Sequence, residues 1–199
     1  MPDLFHVEVE VVDHGPAVWK TARVNIFQTI DGISHQIGSY ARNHAGWCSS
    51  TFCPFMLEGR WYALYSPDYT ATRVMELPSC RDIAGEEPRS NGFCPVEYYV
   101  PHDHPNVVKA GHGGRFGFVA GCLWGDDSSW KIQHLDLSSV ATGVLVRKEL
   151  FGYIAMPAKT ARLSECISLE GYDPPDYEVA DLAVEIRFDL KTGQHRDQF

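Results

Sequence analysis

The chain has 199 residues, with 17 Lys and Arg against 26 Asp and Glu, and a formal net charge of -9. That length suits one large domain or two small ones, and 44% hydrophobic and 12% aromatic residues are enough for a substantial core. The acidic balance and scattered basic residues exclude a binder of the nucleic-acid backbone, which needs clustered Lys and Arg, and favour a basic partner over an acidic one.

The N-terminal stretch MPDLFHVEVEVVDHG lacks the basic-then-apolar order of a signal peptide. No apolar run approaches the roughly 18 residues of a membrane span, and neither end carries a lipidation box. These features predict a soluble cytoplasmic protein whose six cysteines are reduced thiols.

Residues 4–12 alternate apolar with charged side chains and read as a half-solvated strand, broken by His14-Gly15-Pro16. Residues 23–30 and 35–41 read as two strands joined at Asp31-Gly32, a hairpin signal. A loop at 43–47 precedes a second hairpin, residues 50–57 and 61–66, joined by Glu58-Gly59-Arg60. Residues 71–77 read as a short strand, and the polar stretch 78–91 holds at most one helical turn, around residues 81–87 behind Ser79. Residues 96–100 form an aromatic strand, followed by a loop at 101–114 rich in Pro, His and Gly.

The clearest pattern is the next one. Phe116, Phe118, Ala120, Cys122 and Trp124 alternate with Gly117, Val119, Gly121 and Leu123. Gly125-Asp126-Asp127-Ser128-Ser129 supplies turn chemistry, and residues 130–137 return. A five-residue loop would set Trp124 opposite Trp130, Cys122 opposite Ile132 and Ala120 opposite His134, with both faces covered. Further strands are expected at 143–148, 151–156, 161–169 and 182–190, with a linker at 171–176 and a frayed tail at 190–199. The first and last strands are expected to pair, since termini often lie close together.

No repeat of 20 to 50 residues is evident, but Phe52-Cys53-Pro54 recurs as Phe93-Cys94-Pro95. Many short strands with almost no helical periodicity predict a single all-β domain over residues 1–199, an antiparallel sandwich or jelly-roll-like fold with long loops.

Three constellations bear on chemistry. His44, Cys48, Cys53, Cys80 and Cys94 offer thiolates and imidazole for a structural zinc, without the C-x2-C pair of zinc ribbons; as plain residues they are small buried hydrophobes. His102 and His104, two apart, would point the same way in extended chain. With His112 and Asp103 they would suit zinc, iron or manganese; as plain residues they form an exposed loop. His134 and Asp136 share a strand face, as two arms of a 2-His-1-carboxylate site would, with His195 as the third ligand. There is no G-x-S-x-G elbow, and Gly111-His112-Gly113-Gly114 lacks the GK[ST] ending of a phosphate loop.

The aromatics give a different signal. Trp61, Tyr62, Tyr65 and Tyr69 lie in the densest aromatic stretch, and Tyr and Trp favour sites where one end stays wet. The expected function is therefore a non-catalytic binding module for a protein or a small ligand, using those four residues and the 101–114 loop. The alternative is a metal-dependent hydrolase or oxygenase using His102, His104 and His112, with Asp103 or Asp136 as carboxylate. The aromatic surplus is also compatible with a homodimer.

Overall fold

The computed structural model describes residues 4–12, 20–43, 51–85, 92–123, 126–155, 163–168, 178–179, 185–189 and 194–198. The chain is all-β. Strands β1 (Phe5–Val11), β2 (Thr21–Ile30) and β3 (Ile33–Asn43) form the first sheet. β4 (Phe52–Leu57), β5 (Arg60–Tyr65), β6 (Arg73–Leu77) and β7 (Arg81–Gly85) form the second. β8 (Phe93–Tyr99), β9 (Phe116–Leu123), β10 (Asp126–Asp136) and β11 (Val146–Ala155) form the third. A single turn of helix, α1 (Pro105–Lys109), interrupts the β8–β9 connection. A second turn, α2 (Leu163–Cys166), leads into two-stranded pairs, β12 (Ile167–Ser168) with β13 (Glu178–Val179) and β14 (Glu185–Asp189) with β15 (Gln194–Gln198).

Each large sheet is an antiparallel meander of consecutive strands. The first two hairpin turns follow local chemistry. Asp31-Gly32 and Glu58-Gly59 both adopt positive φ, as the tightest hairpin loop requires.

Side-chain alternation stacks the meanders. On one side of the second sheet, Phe55, Leu57, Tyr62, Leu64 and Val74 meet Phe93, Tyr98, Val119 and Leu135 of the third. On its other side, Phe52, Ala63, Tyr65, Met75 and Leu77 meet Phe5 and Ile26 of the first. The middle sheet is thus covered on both faces. Burying each such aliphatic or aromatic side chain stabilises by roughly 1.5–3 kcal/mol.

A buried polar network crosses the same layers. Arg42 of β3 donates to Thr51 Oγ1 at 2.7 Å and to the Ser66 carbonyl at 2.9 Å. The Tyr98 hydroxyl donates to Thr72 Oγ1 at 3.0 Å, and Arg147 of β11 donates to Thr72 Oγ1 at 2.7 Å and to Gln133 at 2.8 Å. Arg147 also lies 5.0 Å over the Phe93 ring.

The recurring tripeptide marks a structural repeat. Phe52-Cys53-Pro54 opens β4, the first strand of the second meander, and Phe93-Cys94-Pro95 opens β8, the first strand of the third. Both are edge strands, where a proline's missing N–H is tolerated. A Gly-Arg-aromatic step enters the second strand of each meander, at Gly59-Arg60-Trp61 and Gly114-Arg115-Phe116, with φ of 79° and 72° at the two glycines. RVMEL in β6 matches KIQHL in β10. Phe52 and Leu77 face the sheet before them, and so do Phe93 and Leu135. The second meander stands on the first as the third stands on the second, the head-to-tail packing by which propeller blades and other repeats cover their faces.

Several expectations are corrected. The helical turn expected at 81–87 is strand β7 through Gly85, held to β6 by ion pairs Arg73–Asp82 at 2.6 Å and Arg81–Glu76 at 2.9 Å. The two strands expected at 143–156 are one, because β11 pairs along the long β10. The strand expected at 161–169 begins as α2. Within the stretch expected as a tail, residues 194–198 form β15, paired with β14, and among the described residues β1 pairs only with β2.

In the β9–β10 hairpin the faces are as expected, but the register slides by two. Ala120 lies opposite Ile132 and Phe118 opposite His134, because β10 starts at Asp126 and the ladder shifts between Asp126 and Lys131. Trp124 and the linker at 171–176 lie outside the described residues.

Candidate interaction site

The two halves of the expected binding region do meet. Trp61, half-buried on β5, stands edge-to-face against Phe5 at 5.5 Å and against His102 at 5.6 Å. His102 belongs to the β8–β9 connection, so a loop of the third sheet closes onto an aromatic of the second. Its backbone N–H donates to the Val100 carbonyl at 2.8 Å, and its Nδ1 lies 3.3 Å from the same oxygen.

The loop is built to return. Pro105 occupies the first turn of α1, where its missing N–H leaves no gap. Val107 is buried and anchors the turn, while Val108 points outward and is 54% exposed. His112 N–H donates to the Val107 carbonyl, and Arg115 N–H to His112, so the chain folds back on itself. Gly113 passes beside the His102 carbonyl and the Val108 side chain. Gly114 runs so close to β4 that a Cβ there would collide with the Met56 carbonyl.

Met56 is the cross-strand partner of Trp61 and is 38% exposed. Arg115 and Glu58, paired at 3.0 Å, close the margin between the loop and the β4–β5 turn. Met56 and Trp61 thus form an apolar cross-strand pair beside His102, Val108 is exposed on the returning loop, and the Glu58–Arg115 pair lies between that loop and the β4–β5 turn.

The other three expected aromatics lie elsewhere. Tyr62 is 2% exposed, in the core between the second and third sheets, and Tyr65 is 6% exposed, facing the first sheet edge-to-face with Tyr40 at 5.0 Å. Period-two alternation sends neighbours to opposite faces, and both faces are covered. Burial, with the charge of Asp82, pushes the Tyr65 phenol up to about 12. Tyr69 is half-buried against Cys94, Val96 and Cys122.

Among the described residues, no three of His, Cys, Asp and Glu come together as a metal site. His102 and His104 do not sit in extended chain: His104 N–H reaches back to the Pro101 carbonyl at 3.3 Å, a turn that destroys the two-apart alignment. His104 Nδ1 is buried without a hydrogen-bond partner, His112 is half-buried and Asp103 is exposed.

Cys53 packs with the core between the second and third sheets, Cys80 with that between the first and second, and Cys94 in a separate cluster with Cys122. Burial pushes the Cys53 thiol up to about 12. Cys48 and His44 lie outside the described residues. His134 is wedged against Phe116 and Phe118, both at 6.0 Å, and Asp136 accepts the Ser138 N–H at 3.0 Å in a turn. The His195 side chain lies outside the described ones.

Sequence reasoning missed Met56, Val108 and Arg115. Nothing local marks them, since their neighbours come from a different meander. No protein-family model matches the chain, and no curated protein matches it.

Proposed function

We propose that the chain is a non-catalytic protein-binding module. It engages its partner through the surface of Met56, Trp61, His102 and Val108, with Glu58 and Arg115 at the rim. One observation carries the reading: the 101–115 loop is an insertion into a repeated scaffold, and it folds onto the preceding meander. The first such connection is the turn Glu58-Gly59, whereas the second carries α1 and three histidines. Repeat scaffolds place per-repeat insertions on one face, often the binding face.

The composition supports a protein partner. A half-buried Trp beside exposed Met and Val, bordered by a charged pair, is the anatomy of an interaction hot spot with a polar rim. The net charge of -9 favours a partner with a basic surface.

The test is affinity capture with three proteins side by side: wild type, Met56→Glu with Val108→Glu, and Ile30→Glu with Ile33→Glu. The last pair tests the exposed apolar tip of the β2–β3 hairpin. The reading expects a partner bound by the wild type and the hairpin variant but weakened at least about tenfold by the Met56/Val108 variant, with thermal stability held. A partner lost only with the hairpin variant, or bound equally by all three, ends the reading.

A further inference from the structure

We propose that Cys94 and Cys122 are a modification site: a cross-strand dithiol that a low-molecular-weight disulfide converts reversibly into an intramolecular disulfide. The inference does not rest on the binding reading above.

The two residues lie directly opposite each other in the antiparallel β8–β9 pair. Directly opposed residues have Cα atoms about 4.5–5.5 Å apart, inside the range a disulfide spans. Both are free thiols, 6% and 5% exposed, and hydrogen-bonded to one another; Cys94 also donates to the Gly92 carbonyl at 3.3 Å. Close approach of the strands is built in at the next position. Gly121 lies opposite Pro95, and any Cβ there would collide with the Cys94 carbonyl and the Phe93 ring. Gly121 therefore lets β9 come near enough for the sulfurs to meet.

The repeat supplies an internal control. In the second meander the equivalent cysteine, Cys53, faces Leu64. The residue facing the Phe-Cys-Pro cysteine is thus an aliphatic side chain in one meander and a second thiol in the other. A buried filler does not require that second thiol.

The chemistry balances with a glutathione-type disulfide, RSSR. One cysteine thiolate attacks RSSR, forming a mixed disulfide and releasing RS–, which takes up a proton. The other cysteine attacks the protein sulfur of that mixed disulfide and releases the second RSH. The protein loses two electrons and two protons, and RSSR becomes two RSH. The shared hydrogen bond with Cys122, and then burial, hold the Cys94 thiol well above its ordinary range, so exchange in the closed sheet is slow. Access comes from position: Cys94 is the second residue of an edge strand and Cys122 the last but one of β9, at the end of the ladder where sheets open first. The closed ring would enclose the whole 101–115 insertion and staple the strands on either side of it.

The test uses the native, full-length protein. It is incubated with excess oxidised glutathione, its remaining thiols are alkylated, and its peptides are mapped with and without reduction. The expected result is a Cys94–Cys122 linked peptide in most molecules, absent before treatment and removed by dithiothreitol, with Cys53 unlinked. Cys122→Ser should replace the link by a glutathione adduct on Cys94. The mapping of the wild type decides by itself if that variant does not fold. The proposal fails if Cys94 and Cys122 stay reduced, if they carry separate adducts without linking, or if the link forms only in denaturant.

Discussion

The second and third meanders share a strand plan, an opening Phe-Cys-Pro and a third strand written RVMEL in one and KIQHL in the other, yet they differ in two places. The connection between first and second strands is a tight turn at Glu58-Gly59 in one and a folded-back loop with a helical turn in the other. The residue facing the Phe-Cys-Pro cysteine is Leu64 in one and Cys122 in the other. What is shared makes the stack, since each meander must cover the face of its neighbour. What differs sits on the margin of that stack, where change costs little, and both proposals lie there.

The strongest challenge to the equivalence comes from the core. Leu77 and Leu135 end the matching segments RVMEL and KIQHL and face the preceding sheet. Leu77→Ala and Leu135→Ala should each cost about 2–5 kcal/mol in chemical denaturation. A cost below about 1 kcal/mol at either position would break the comparison.

The glycines entering the second strands separate local from tertiary effects. Gly59→Ala meets open space and should cost about 1 kcal/mol for its φ of 79° alone. Gly114→Ala has a similar φ of 72° but drives a Cβ into the Met56 carbonyl, and should cost about 2–4 kcal/mol. Equal costs in urea titrations would mean that the inserted loop does not press on β4.

Alkaline pH probes the network joining the two meanders. Burial pushes the Tyr98 phenol up to about 12 from its ordinary 10. A raised folded-state value means that stability is complete below pH 10 and falls as pH rises from 10 through 12. The loss should reach about 2–3 kcal/mol. Denaturant midpoints measured from pH 9 upward should show this fall, and Tyr98→Phe should remove the Tyr98 share of it while leaving the share of Tyr65 and Cys53.

The smallest effect belongs to the rim. Arg115→Ala removes the exposed pair with Glu58 and should change stability by less than about 1 kcal/mol, while weakening capture of a partner that contacts the rim. A large loss of stability would show that the pair holds the loop in place.

The strands were legible because alternation is local: residues 4–12, 50–66 and 116–137 announce themselves by period two and by Asp-Gly or Glu-Gly punctuation. The register of β9–β10 was not legible, because an irregular ladder near Asp126 slides the pairing without changing either face. Strand β7 was misread because its polar residues find partners across the sheet and not along a helix. Of the expected binding aromatics, Trp61 lies at the candidate surface while Tyr62 and Tyr65 are core. Composition alone does not tell these apart.

The sequence by itself determined the all-β class, most strand positions and which side chains share a face, since backbone geometry alternates every residue whatever lies beyond. Only the tertiary structure decided that both faces of the middle sheet are covered, that His102 comes to Trp61, and that Cys94 meets Cys122. Those are contacts between segments far apart in the chain, and they depend on register and sheet packing, which no local pattern encodes.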